Sequence, residues 1–143
     1  MLAYTVWADD RLLAAADGID DGQYGQIAEP LTHMLATQRY WYANWTGGEL
    51  VAPRLSTLAS AREAYAASHQ VLRAFADRLT DEEWHRTEAW WKRWGLDATM
   101  ALGESITQLF FHGVQHRSEM AVMLSNWGHS PGDLDYLTFL GGP

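Results

Sequence analysis

The chain has 143 residues, no cysteine and a formal net charge of −8. Its length suits one domain, which we place over residues 1–143, with enough buried surface for a core that needs no disulfides. The acidic balance argues against nucleic acid as a partner, and no apolar run approaches the roughly 20 residues that cross a membrane. The absence of cysteine excludes thiolate ligands and a cysteine nucleophile, and it is consistent with a cytoplasmic protein.

Helical periodicity dominates the chain and predicts an all-α fold. Four long helices are expected over residues 2–17, 26–46, 56–79 and 103–127. Proline is tolerated only near the start of a helix, so Pro30 could move the start of the second helix to Glu29. Ser56 or Ser60 could cap the third helix. After a turn, residues 133–140 are expected to fold back as a short helix.

Residues 84–101 follow neither the helical nor the strand period. Four of the eight tryptophans lie in this stretch, among charged residues and a glycine. These four are Trp84, Trp90, Trp91 and Trp94. We expect an irregular segment between the third and fourth helices, with room for a brief strand pair and, at its start, a short turn of helix after Thr80. Long ordered connections of this kind are often functional.

The fourth expected helix carries His112 and His116 four residues apart. Positions i and i+4 lie about 40° apart on a helix, so both imidazoles share one face and could bind one metal ion. Gln108 and Glu119 lie on the same polar stripe. Two ligands rarely hold a metal alone, so the second helix must supply a third, for which His33 is the candidate.

His33 lies on a mixed polar stripe with Thr37, Tyr40 and Asn44, which are candidate residues of a wet cavity. Three imidazoles suit divalent zinc, nickel, cobalt or iron and leave a coordination position for water or substrate. Glu119 could orient His116 or act as a base.

A second interpretation of the histidines stays open at this point. Histidine pairs at this spacing also occur by chance, and buried histidines are more often hydrogen-bonded than bound to metal. The three other conspicuous histidines are expected at the surface or in loops. They are His69, His85 and His129.

Three stretches and the chain ending resemble the DinB-like superfamily of four-helix metalloproteins. They are Tyr4–Asp9, Leu31–Leu35, His112–Met120 and Gly128–Tyr136. The most specific part is one histidine on the second helix combined with His-x-x-x-His-Arg on the fourth. Where the family commonly has glycine and then glutamine after this motif, the chain has Ser118 and Glu119, so a carboxylate stands beside the expected metal.

The resemblance implies an up–down–down–up four-helix bundle, often a homodimer, with a divalent metal (zinc, nickel or iron) on His33, His112 and His116. Relatives include S-transferases that use bacillithiol or mycothiol and a mycothiol-dependent maleylpyruvate isomerase. The family name does not imply DNA binding.

The leading functional hypothesis is therefore a metal-dependent thiol S-transferase that acts with a low-molecular-weight thiol on a small electrophile. One alternative is hydrolysis by metal-activated water with Glu119 as the base. Another is a metal-stabilised, ligand-binding bundle without catalysis. A fourth protein ligand on the metal would argue against both enzyme hypotheses.

Overall fold

The computed structural model describes residues 1–88 and 99–142. The described helices are α1 (Leu2–Ala15), α2 (Asp21–Thr46), α3 (Leu58–Arg78), α4 (Asp81–Trp84), α5 (Leu102–Asn126) and α6 (Tyr136–Gly141). Between α4 and α5, β1 (Thr87–Glu88) pairs antiparallel with β2 (Met100–Ala101). The predictions of an all-α fold and of a brief strand pair are confirmed. The predictions for Trp90, Trp91 and Trp94 fall outside the described residues.

Two apolar clusters at the two ends of the bundle show the direction of each long helix. One cluster joins the starts of α1 and α5 to the ends of α2 and α3, as Leu2 and Trp45 illustrate. The other joins the opposite ends, as Leu13 and Ile27 illustrate. The long helices therefore run up, down, down and up, as expected. Both α1 and α2 contact α3 and α5, so α1 and α2 occupy opposite corners of the bundle.

The connection between α2 and α3 returns along the bundle, because these two helices run in the same direction. Gly47 ends α2 with φ 68°, a left-handed conformation that costs glycine little because it has no Cβ. Residues 47–57 can reach roughly 36 Å when extended, which approaches the roughly 39 Å length of the 26-residue helix α2. This crossover therefore runs beside α2 and covers one side of it.

Helix α2 begins at Asp21, so the predicted start at Gln26 or Glu29 is wrong. The Asp20 side chain accepts a hydrogen bond from the Gln23 backbone (2.8 Å), and the Gln23 side chain accepts one from the Asp20 backbone (2.9 Å). This capping box satisfies the first turn of the helix. Pro30 lies in the helix interior, where the lost backbone hydrogen bond is tolerated within a well-packed helix.

The same kind of cap begins two more helices. Thr57, rather than the predicted Ser56 or Ser60, caps α3 and pairs with Ser60, and Thr80 caps the short helix α4. In the described part of the chain, every helix is too short or too polar to cross a membrane.

A buried polar cluster lies between the two apolar clusters and joins the four long helices. We call it the Asp9 cluster; its members are Asp9, Gln38, His69 and Arg117, each at most 3% exposed. Asp9 accepts hydrogen bonds from Gln38 (2.6 Å) and Arg117 (2.7 Å), and His69 Nε2 lies 3.2 Å from its carboxylate. The prediction that His69 lies at the surface is wrong, because the residue is only 3% exposed. Its Nδ1 also contacts Asp10 at 3.0 Å.

Gly113 makes room for the Arg117 side chain in this cluster. A Cβ atom at position 113 would lie 2.7 Å from Nη1 of Arg117 and 2.9 Å from Nη2, closer than such atoms approach. The glycine between His112 and His116 therefore lets Arg117 reach Asp9 on α1. Arg117 therefore faces α1, while His112 and His116 lie on the side of α5 that faces His33 of α2.

Candidate metal centre

Three imidazoles meet where α2 packs against α5. Nε2 of His33 lies 3.0 Å from Nε2 of His112, and the ring centroid of His116 lies 4.9 Å and 4.6 Å from theirs. One ligand atom from each ring can be chosen so that all lie within 4.8 Å of one another. Two nitrogens that bind one ion at about 2.0–2.1 Å each lie roughly 3 Å apart, so the spacing fits a shared cation.

A direct hydrogen bond between His33 and His112 would give the same 3.0 Å distance, but it would not explain the third ring. Residues 1–88 and 99–142 contain no other group of three potential ligands from histidine, cysteine or carboxylate side chains that is as close. The donor set, three nitrogens on two rigid helices, fits a divalent transition metal.

The half-buried His112 is held in the form that binds metal. Burial, and then the neighbouring His116 and His33, lower the pKa of His112 to about 4. The imidazole is therefore neutral at neutral pH, with a lone pair available to an ion. Its Nδ1 is buried without a hydrogen-bond partner among the described residues, so Nε2, which faces His33, is the nitrogen placed for ligation.

Glu119 lies one turn beyond His116 and contacts its ring. The Glu119 carboxylate accepts a hydrogen bond from Nδ1 of His116 at 2.9 Å, which leaves Nε2 of that ring for a ligand. This hydrogen bond, and then one from Gln115, lower the pKa of Glu119. An ionised carboxylate in this position orients the imidazole and raises its basicity, so the geometry favours this role over that of a base.

An apolar cavity of about 450 Å³ borders His33 and His112. Tyr40 and Trp41 of α2 form one wall, and the crossover between α2 and α3 forms another through Leu50, Ala52 and Pro53. This second wall was not identified from the sequence, because the crossover lies close to α2 only in the folded bundle.

The predicted cavity residues differ in where they lie. Thr37, Tyr40 and Gln108 line the apolar cavity, and Gln108 accepts a hydrogen bond from the Trp41 indole at 2.9 Å. Asn44 is not among the described residues that line it. The Asn44 amide instead donates to the Tyr40 carbonyl at 2.6 Å, within its own helix.

A second cavity, of about 380 Å³, borders His33 and His116. We call it the acidic cavity, because Glu29 and Glu119 line it together with Gln26 and two methionines of α5. Sequence reasoning considered Glu29 only as a helix start. Its place one turn before His33 on α2 is a helical spacing that could have indicated a role beside the histidine.

A larger cavity of about 510 Å³ lies between α5 and α6. Tyr4, Phe110 and Tyr136 line it, and the three histidines do not. Its size alone would favour this cavity as the functional site. We assign the site to the three histidines instead, because their nitrogens can bind a metal ion.

The DinB family model matches residues 1–142, which is nearly the whole chain. The chain belongs to the DinB family. The resemblance inferred from the histidine motifs is therefore confirmed, and the helical bundle with a possible three-histidine metal site fits a DinB-family metal-binding protein. Searches among curated proteins and among solved structures returned no match to the chain.

Proposed function

We propose that this DinB-family protein binds a divalent zinc, nickel or iron ion through His33, His112 and His116 and transfers a low-molecular-weight thiol to a small electrophile. The observation that supports the proposal is the convergence of three imidazole nitrogens beside an apolar cavity. Within the described residues no fourth histidine, cysteine or carboxylate joins this group, so three protein ligands leave a position for a substrate.

The chemistry divides between the ion and the side chains. A divalent ion stabilises a thiolate over a thiol and so supplies a nucleophile at neutral pH. The chain has no cysteine, so the nucleophilic sulfur has to come from a diffusible thiol. Its S–H proton leaves to solvent, a carbon–sulfur bond forms, and the leaving group of the electrophile departs with its bonding electron pair.

The apolar cavity suits the electrophile. Tyr40 and Trp41 offer aromatic surface to an apolar molecule, and the surrounding wall would exclude water from the reacting carbon. Glu119 would hold His116 in the orientation that ligation requires.

A conjugation assay tests the proposal. The metal-loaded protein is mixed with a small thiol and chlorodinitrobenzene, and the coloured conjugate is followed. We expect turnover that requires both metal and thiol and that falls to the uncatalysed rate in His116→Ala. His85→Ala is the matched control, because His85 is an exposed histidine away from the site. Wild-type turnover no greater than that of His116→Ala would contradict the proposal.

Hydrolysis by activated water has less support. It requires a base near the ion, yet Glu119 is engaged with His116 and its pKa is lowered, which makes it a weak proton acceptor. Ester hydrolysis without added thiol would favour this alternative. Metal-dependent stability without either reaction would favour a bundle that uses the ion only for folding.

A further inference from the structure

The candidate metal centre separates two cavities of different chemistry. His33 lines both of them, while His112 borders the apolar cavity and His116 borders the acidic cavity. An ion held by the three imidazoles would therefore be reached from two sides. Such an arrangement would let the two substrates of a transferase approach the ion from different sides.

The acidic cavity carries negative charge that no described basic side chain in its lining neutralises. Neither lysine nor arginine is among the described residues that line it. Glu29 is exposed, with no hydrogen bond or ion pair recorded within the described parts of the chain, and it lies one turn from His33. Glu119 is half-exposed and contacts His116.

The charges around the ion identify Glu29 as the unbalanced group. A divalent ion, one thiolate and the Glu119 carboxylate carry charges that sum to zero. Glu29 then adds one negative charge to the exposed lining of the same cavity, one helical turn from His33. A cationic group at that end would be attracted, and an anionic group would be repelled.

We propose that the acidic cavity receives the thiol and that Glu29 selects thiols whose remote group is positively charged, whereas the apolar cavity takes the electrophile. This inference rests on the proposed function. Glu29 is a specificity residue for the thiol and takes no part in bond making. Because the pair is exposed to solvent, the expected preference from this one carboxylate is about threefold for each unit of charge.

Binding of three short thiols to the cobalt-loaded protein tests the inference. The probes are cysteamine, 2-mercaptoethanol and 3-mercaptopropionate, which carry a positive, a neutral and a negative remote group. Sulfur-to-cobalt charge-transfer absorbance reports binding without turnover. Since the thiols also differ in acidity, each is compared with itself between the wild type and Glu29→Gln.

We expect Glu29→Gln to weaken cysteamine binding about threefold, to leave mercaptoethanol unchanged and to strengthen mercaptopropionate binding about threefold. Glu63→Gln removes the same charge from the exposed surface of α3 and should change none of the three. Cobalt is kept at a saturating concentration for all three proteins, because loss of the Glu29 charge should also weaken binding of a divalent cation somewhat.

Failure of this inference and failure of the proposed function would give different results in this experiment. If thiols bind but Glu29→Gln shifts all three equally or not at all, the inference is wrong and the transferase proposal survives. If no thiol gives a charge-transfer band in the cobalt-loaded wild type, both the inference and the proposed function are overturned.

Discussion

Two histidine-containing polar clusters lie on different sides of α5, and they differ in the groups that their members bring into contact. In the Asp9 cluster, His69 and Arg117 face carboxylates, and every member is almost fully buried. In the candidate metal centre, three imidazoles face one another and are partly exposed. The carboxylate of Asp9 has a guanidinium of the chain as its partner, whereas three imidazoles in contact offer nitrogen lone pairs to a cation. The same residue type is therefore structural in one cluster and a candidate for function in the other.

Two ion pairs of equal length sharpen this comparison by separating burial from distance. Arg117 and Asp9 lie 2.7 Å apart with side chains 2% and 0% exposed, and Arg62 and Asp17 lie 2.7 Å apart with side chains 39% and 76% exposed. We expect Asp9→Ala to lower the free energy of unfolding by about 3–5 kcal/mol, because it leaves Arg117 buried and unpaired.

Asp17→Ala is the control and should cost no more than about 1 kcal/mol, as for other exposed pairs. Urea unfolding of both variants at neutral pH measures the difference. Equal losses in the two variants would show that the Asp9 cluster does not hold the bundle together as the structure indicates.

A substitution in the candidate metal centre should reduce metal binding and leave the stability of the fold nearly unchanged. His33→Ala is expected to reduce the affinity for zinc about 100-fold or more, since loss of a ligand exceeds the effect of losing an outer partner. The metal-free variant should keep its helical content and nearly its full stability, because His33 is exposed. Calorimetric titration and circular dichroism measure the two properties, with His85→Ala as control. Unchanged zinc affinity, or loss of the helical fold without metal, would contradict the assignment of the two clusters.

Two glycines within helices test how tightly the Asp9 cluster is packed. Alanine normally stabilises a helix interior relative to glycine by roughly 0.5–1 kcal/mol. Gly25→Ala should show this gain, because nothing lies within 4 Å of the added Cβ. Gly113→Ala should instead lower the free energy of unfolding by about 1–2 kcal/mol, because the new atom displaces the Arg117 side chain. Thermal unfolding distinguishes the two signs, and a stabilised Gly113→Ala would show that Arg117 relocates easily.

Acid should act on the candidate metal centre through His112. The pKa of His112 is about 4 in the folded protein and about 6.5 when unfolded, so between these values the unfolded chain binds a proton that the folded chain does not. The metal-free protein therefore loses stability as the pH falls through this window. The free energy of unfolding of His112→Gln, measured with urea, should fall less than that of the wild type between these two pH values. An equal loss would show that His112 titrates normally.

Much of the site could be predicted from local patterns. The spacing of His112 and His116 within an apolar helix places both rings on one face, whatever the surrounding fold. The polar stripe around His33 likewise indicated a cavity wall, and Thr37 and Tyr40 line the apolar cavity. Helix periodicity and the DinB-like motifs predicted the bundle, which the structure and the family match confirm.

The errors arose where a distant segment decides the environment of a residue. His69 lies four residues after Tyr65 and three before Leu72, so its helical spacing already places it on the buried face of α3. The sequence did not show that Asp9 and Asp10 of α1 lie against its ring. Glu29 became a cavity residue because α5 supplies the opposite wall through His116 and Glu119.

The sequence by itself determined the helices, their order and the residues able to bind a metal, because these depend on periodicity and side-chain chemistry within a few turns. Only the tertiary structure decided which histidine became structural, which carboxylates border the candidate metal centre and where the crossover closed a cavity. These properties depend on burial and on charges contributed by segments far apart in the chain, which no local pattern records.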